Sequence, residues 1–205
     1  WNSPAQLLEQ IIHHEAVHEI DGWDDLRRRL RPDRRCFAFF HPQLPDEPLI
    51  FVEVALVPEM AGAIAPLIDK RAQPLPAEQF KVAVFYSISN CQPGLRGVSL
   101  GNFLIKRVAE QLKRELPQVK TFCTLSPIPG FMAWLTKARP ESLPAKAQRA
   151  HDDLQAACGD DFSALTQAAR LVALPGSAHH ALWRLAAFYL VEVSPLQNGE
   201  QVGDP

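Results

Sequence analysis

The sequence predicts an α/β protein built on a mixed sheet with helical extensions, and three observations point there. Short runs rich in aromatic and β-branched residues recur at residues 36–41, 49–56, 81–89 and 119–125. Between the third and fourth runs, Leu100, Leu104, Val108, Leu112 and Leu116 repeat at every fourth position, the spacing of an amphipathic helix. From Phe131 onward the texture is helical almost to the end. The order is helices, strand, strand, helix, strand, helix, strand and further helices, which describes a mixed sheet carrying helices, not a sandwich or a bundle.

Each element has its own signal. Ser3 and Pro4, ahead of Leu7, Leu8, Ile11 and Ile12, read as the capped start of an amphipathic helix. A second short helix is expected from Trp23 through Arg27, Arg28 and Arg29, ended by Pro32, with the arginines on a solvated face. CFAFFH and LIFVEVAL, joined by the turn-rich HPQLPDEP, predict a β-hairpin. MAGAIAPLI reads as a short helix and QPLPAEQ as a loop. KVAVFYSIS is the strongest strand and runs into the turn residues NCQPGLRG, then the leucine-spaced helix. VKTFCTL supplies the last strand. Helices follow in FMAWLTKA, at 141–157, at 163–172 and in HALWRLAAFYLVEV, and the tail SPLQNGEQVGDP reads as loop.

Composition narrows the function. The 205 residues carry 21 Lys+Arg against 23 Asp+Glu, a formal charge of −2, which argues against a nucleic-acid or anionic-membrane binder working by bulk charge. A chain of this size buries about 70% of its unfolded surface, enough for one core or a core with a small annex. No apolar run approaches a membrane span. Cys36, Cys91, Cys123 and Cys158 form no CxxC pair, so zinc-finger and thioredoxin readings fall away. Reduced, mostly buried thiols and a cytoplasmic location are expected. The opening segment, starting at Trp1, lacks the pattern of a secretory signal, and the chain reads as a piece of a longer polypeptide.

Three places could carry chemistry. His14-Glu15-Ala16-Val17-His18 matches HExxH, in which two imidazoles one helical turn apart hold zinc and the glutamate acts as base. The extended form of that pattern needs glycine and histidine where this chain has Asp21 and Asp24, and the bland reading has these groups capping or pairing near a helix end. His13, His179 and His180 are expected on the surface. The second place is the turn from Gln92 to Asn102. Its Gly94, Gly97 and Gly101 would let several backbone N–H groups converge at a helix N-terminus as an anion cradle, against the plain reading of a strand-to-helix turn. Ser126 is the third. It closes a predicted strand and precedes Pro127, which keeps it out of helical geometry and holds its hydroxyl at the sheet's edge; the bland alternative is a turn serine bonded to its own backbone.

Read together, VFYSISNCQPGLRGVSLGNFLIKRVAEQLKRELPQVKTFCTLSPIPGFMAWL resembles the malonyl-CoA decarboxylase family, supported by EAVHEIDGWDDLRRRLRPDRRCFAFFHP and the EPLIFVEVAL strand. The resemblance runs from about Glu15 to Leu135 and implies a sheet of GCN5-related N-acetyltransferase (GNAT) type. It implies residues 1–22 as a junction to a separate helical domain and residues 23–205 as the catalytic domain, incomplete at its end. It also implies that Arg96, Gly97, Val98, Ser99, Leu100, Gly101 and Asn102 form the coenzyme A pyrophosphate loop and that Ser126, in SPIPGF, is the catalytic serine. Animal members carry glutamate where this chain has Ser99. The family's catalytic histidine belongs to an FHLxNGA-like segment that none of the seven histidines matches, and it is expected shortly beyond Pro205.

The implied reaction is decarboxylation of malonyl-CoA to acetyl-CoA in fatty-acid and malonate metabolism, in a cytoplasmic homo-oligomer. Coenzyme A enters as part of the substrate and no metal, prosthetic group, nucleic acid or membrane is involved. The alternatives are a CoA-dependent acyltransferase or a non-catalytic CoA-binding module on the same fold, and more remotely a zinc peptidase using HEAVH.

Overall fold

A four-stranded mixed sheet organises the first part of the chain. In the computed structural model, which describes residues 3–95, 98, 100–159 and 162–193, the chain divides into two compact units meeting in sequence between Ser126 and Pro127. Strands β1 (Arg34–His41) and β2 (Leu44–Val57) form the expected hairpin, turning through Pro42 and Gln43. Most of HPQLPDEP is thus absorbed into β2. Strand β3 (Val82–Asn90) pairs antiparallel with β2, and β4 (Thr121–Thr124) pairs parallel with β3, giving the order β1-β2-β3-β4.

Period-two alternation sends β2 side chains to two buried faces, which is why IFVEVALV reads as a nearly unbroken apolar run. Ile50, Val52, Val54 and Leu56 pack with Ala83 and Phe85 of β3 against Leu104, Val108 and Leu112 of helix α4 (Leu100–Glu115). These three are the middle of the leucine-spaced stripe. On the opposite face, Phe51 packs with Leu8 and Ile11 of α1 (Ala5–His14) and Leu26 of α2 (Gly22–Arg29). Ala55, Val57, Val82 and Val84 meet Leu67 of α3 (Ala65–Ile68) on that side.

Three expectations are corrected here. Ser3 makes no capping hydrogen bond; Pro4 holds the N-cap position of α1. MAGAIAPLI keeps only its last turn as helix, starting where Pro66, which needs no helical N–H, can occupy the first turn. The arginines of α2 are not a solvated face. Arg27 is exposed, but Arg28 and Arg29 are buried because carboxylates meet them inside. Arg28 Nη1 lies 2.9 Å from Asp33 Oδ1, and Arg29 Nε lies 3.0 Å from Asp25 Oδ1.

The second unit is helical among its described residues. It comprises α5 (Phe131–Leu135), α6 (Ala145–Cys158), α7 (Ala168–Val172) and α8 (Gly176–Phe188), with single tight turns at Pro140–Ser142 and Phe162–Thr166 and a wide turn at Tyr189–Val193. The segment expected as one helix at 163–172 is split between a tight turn and α7. Ala147 and Ala150 of α6 and Ala178 and Ala181 of α8 are buried with Leu154, Leu185 and Tyr189, small residues permitting close approach of the helices. The tail SPLQNGEQVGDP lies outside the described residues.

Candidate active site

The site is built at the carboxyl ends of the two parallel strands. Val82 to Phe85 of β3 pair with Thr121 to Thr124 of β4, and Leu125 N–H donates to Phe85 O at 2.8 Å. Parallel pairing puts both C-terminal ends at the same edge of the sheet, so the glycine turn after β3 and Ser126 after β4 leave from one side. Past Phe85, β3 continues to Asn90 with no strand beside it on the β4 flank among the described residues. Ser126 is exposed, and its hydroxyl has no hydrogen-bond partner among the described residues, unlike a turn serine bonded to its own backbone.

The turn itself is partly folded on itself. Leu95 N–H bonds Gln92 O, Val98 N–H bonds Leu95 O, and Leu100 N–H bonds Val98 O. Those amides of Val98 and Leu100 are therefore spent inside the loop. The first turn of α4 directs the N–H groups of Gly101, Asn102 and Phe103 toward the helix's N-terminal end, where the macrodipole is positive. Val98 and Asn102 are exposed, and Leu100 and Gly101 half-buried. Arg96, Gly97 and Ser99 lie outside the described residues. At Gly101 the start of α4 faces β3 and β2: a Cβ there would meet Ile88 Cγ2 at 3.4 Å and Ile50 Cδ1 at 3.8 Å, ordinary contact, with no room for a larger side chain. Gln92 Nε2, 3.3 Å from both Glu47 Oε2 and Pro48 O, ties the turn to β2.

HEAVH does not form the helical pair its spacing suggests. Helix α1 ends at His14, and Glu15 is its C-cap in extended conformation, so the two imidazoles do not share a helical face. No group of three or more His, Cys, Asp or Glu side chains placed to hold a metal occurs among the described residues. The bland reading holds, with an unforeseen partner. Glu15 accepts hydrogen bonds from Val17 N–H at 2.9 Å and His18 N–H at 2.8 Å. It also accepts from Ser87 Oγ, 2.6 Å from Oε1 and 2.8 Å from Oε2, and at 3.4 Å from Ser89 Oγ.

These serines face Glu15 because β3 carries a bulge. Glu53 pairs with Ser87 but Val54 pairs with Phe85, leaving Tyr86 as the extra residue. Before the bulge Val82, Val84 and Tyr86 face the α1–α3 side; after it Ser87 and Ser89 do, while Ile88 joins Phe85 on the α4 side. Beneath the bulge, Arg29 Nη1 lies 3.0 Å from Glu53 Oε2 in full burial. Burial pushes the Glu53 carboxyl up to about 7 against the opposing pull of Arg29. Burial alone would lower Arg29, but its hydrogen bonds to Asp25 and the Glu53 charge raise it above its ordinary value. Tyr86 Oη and Glu53 Oε1 are buried with no partner at hydrogen-bond geometry among the described residues, and burial raises the Tyr86 phenol well above its usual value. His18, half-buried with its ring centroid 6.4 Å from that of Tyr86, is held below its usual value by burial. Glu15 was singled out only as the base of a zinc motif; its link to the serines, Glu53 and the bulge were not found from the sequence, where the available signal was the pair of serines alternating at the end of an otherwise apolar strand.

The four cysteines differ in burial. Only Cys91 is buried and the other three are half-buried, all as free thiols, which corrects the expectation that most would be buried. Burial pushes Cys91 up to about 12 and Cys36 well above its ordinary value, so both are thiols at neutral pH.

A mixed sheet whose parallel β3 and β4 end at one edge, followed by a turn and the N-terminus of α4, places the chain in the α/β class. The sequence profile of the family described as the malonyl-CoA decarboxylase C-terminal domain matches residues 1–204. The mitochondrial malonyl-CoA decarboxylase of Anser anser anser is 47% identical over 137 residues, 66% of this chain and 27% of that protein. That of Mus musculus is 46% identical over 138 residues, 66% of this chain and 28% of that protein. Among solved structures, malonyl-CoA decarboxylase from Rhodopseudomonas palustris superposes with a TM-score of 0.75 at 50% identity, covering 95% of this chain and 47% of that one. The enzyme from Agrobacterium vitis gives 0.73 at 50% identity, covering 92% and 46%. This chain belongs to the malonyl-CoA decarboxylase family and spans less than half the length of these relatives.

Proposed function

We propose that this chain supplies the coenzyme A cradle and the serine of a malonyl-CoA decarboxylase, on a sheet of GNAT type. The supporting observation is the parallel β3–β4 pair, after which the glycine turn and Ser126 leave the same edge of the sheet, beside a length of β3 that no strand covers among the described residues. In this reading the first-turn amides of α4, with Arg96 to Asn102, hold the pyrophosphate, and the pantetheine arm lies along β3 toward Ser126. The strength of such a cradle comes from oriented N–H groups, so a near-neutral chain suffices.

The chemistry asks for little else. The bond between the methylene carbon and the carboxylate breaks, CO₂ leaves, and the electron pair passes into the thioester carbonyl as an enolate. A proton then adds to carbon to give acetyl-CoA. The site must stabilise the oxyanion, for which backbone amides and the Ser126 hydroxyl are the donors, and withdraw the carboxylate from water. We assign the carbon protonation to the histidine of the family's FHLxNGA-like segment, and we propose no metal or prosthetic group. Homo-oligomeric assembly, a cytoplasmic location and a place in fatty-acid metabolism belong to the same proposal. No helix among the described residues is long and apolar enough to cross a membrane.

The test is an assay of the full-length protein with malonyl-CoA labelled in its free carboxyl group. Release of labelled CO₂ with stoichiometric acetyl-CoA supports the reading. Transfer of an intact acyl group to an amine without CO₂ release overturns it in favour of an acyltransferase.

A further inference from the structure

We propose that Glu15 is a positioning residue that fixes the free edge of β3 for the thioester arm, acting through Ser87 and Ser89; this rests on the functional reading above. The argument begins with which backbone groups face the gap left by β4. Cys91 N–H donates to Leu49 O, toward β2. Successive residues of a strand alternate the direction of their N–H and C=O groups, so Ser89 and Ser87 also turn toward β2, and Ile88 and Asn90 turn the opposite way. Ile88 is therefore the first peptide beyond the bulge to face the uncovered side, past Phe85, where pairing with β4 ends.

Nothing on that flank holds Ile88 in place among the described residues. Its two neighbours do. Ser87 and Ser89 both donate to Glu15, and Ser89 Oγ in turn accepts from Ala16 N–H at 3.2 Å. Glu15 is itself fixed by two backbone amides of its own turn, and no arginine or lysine pairs with it among the described residues. A carboxylate held by neutral donors from two separate elements sets a distance and an angle between them and supplies no counter-charge to either. Here it pins the two residues flanking Ile88 from the face opposite α4, while Ile88 itself packs on the α4 side with the core that Leu104 and Val108 join. A misplacement of about 1 Å at a reacting centre can lower a rate by about a hundredfold, so an edge clamped from both faces bears directly on turnover.

The experiment compares wild type, Glu15→Ala, Glu15→Gln and the Ser87→Ala/Ser89→Ala double variant of the full-length protein. It measures kcat and KM for malonyl-CoA and the affinities for acetyl-CoA and for the nucleotide portion of coenzyme A lacking the pantetheine arm. Glu15→Ala is expected to lower kcat by about tenfold or more and weaken acetyl-CoA by about fivefold, leaving the nucleotide portion within about twofold. Glu15→Gln, which keeps an acceptor oxygen, should fall between it and wild type. If Glu15→Ala does not fold, the double serine variant, which removes the clamp and leaves α1 intact, must show the same split. Equal weakening of both ligands, or wild-type kcat in folded variants, overturns the assignment. Failure of the wild type to release CO₂ overturns the functional reading instead, so the two failures are distinguishable.

Discussion

The guanidinium of Arg29 lies 3.0 Å from Glu53 Oε2 with both side chains sealed from solvent, joining α2 to the centre of β2 across 24 residues of sequence. Asp25 shares the same guanidinium, so two carboxylates meet one strong cation, and Glu53 Oε1 has no partner at hydrogen-bond geometry among the described residues. Burial therefore raises Glu53 to about 7. Between the ordinary glutamate value and about 7, the folded protein binds a proton that the unfolded chain has released. The stability from this group is full below the unfolded value and is lost as pH rises through about 7, with a slope on the order of 1 kcal/mol per pH unit. Glu53→Gln should abolish that fall. His14 and His18, lowered chiefly by burial, act in the opposite direction, so the wild-type minus variant difference in urea stability from pH 5 to 8 isolates Glu53. A difference that does not change with pH would refute the assignment.

Gly130 and Tyr189 make a second testable pair. Gly130 has φ +75°, and a Cβ there would stand 2.5 Å from Tyr189 Oη, which donates to Pro129 O at 2.8 Å. Gly130→Ala should cost about 1–2 kcal/mol for the left-handed backbone and roughly 1–3 kcal/mol more for overlap with the phenol. In a Tyr189→Phe background only the backbone part should remain. A double-mutant cycle by denaturant unfolding measures the difference, and strict additivity would show that the hydroxyl is not the obstacle.

Gly101 tests the seat of α4. Alanine there meets Ile88 at 3.4 Å and should behave nearly as wild type. Gly101→Leu must lever the helix start away from β3 and is expected to weaken coenzyme A binding by about tenfold, read by calorimetry. Unchanged affinity in a folded Gly101→Leu protein would argue that the helix start is not part of the cradle.

Ser126→Ala should separate chemistry from binding. The expected loss is about 10²–10⁴ in kcat, with coenzyme A affinity within about twofold of wild type. Single-turnover assays and equilibrium binding provide the two numbers, and parallel losses in both would move Ser126 from the reacting end to the binding surface.

The strands and the central helix were legible because their signals are local. Alternating or unbroken apolar runs gave β1 to β3, and every-fourth-residue leucines gave α4. What escaped was settled by partners distant in sequence. Arg28 and Arg29 look like a solvated run until Asp33 and Glu53 meet them inside, and a motif-shaped HEAVH dissolves once Glu15 turns out to belong to two serines of β3. The bulge at Tyr86 was invisible for a further reason: one added residue changes which face a side chain takes without changing composition. For the candidate site, the turn and Ser126 were picked out from the residues, with their roles implied by a resemblance, and the Glu15–serine contact was not foreseen.

That added residue gives β3 a division of labour. Up to Tyr86 the strand answers to the hydrophobic interior on both sides, and substitutions there tax the whole first unit. From Ser87 onward the positions on the α1 side carry buried hydroxyls tied to the turn at Glu15, while Ile88 stays with the core on the α4 side, so the end of the strand joins a polar anchor on one face to an apolar one on the other.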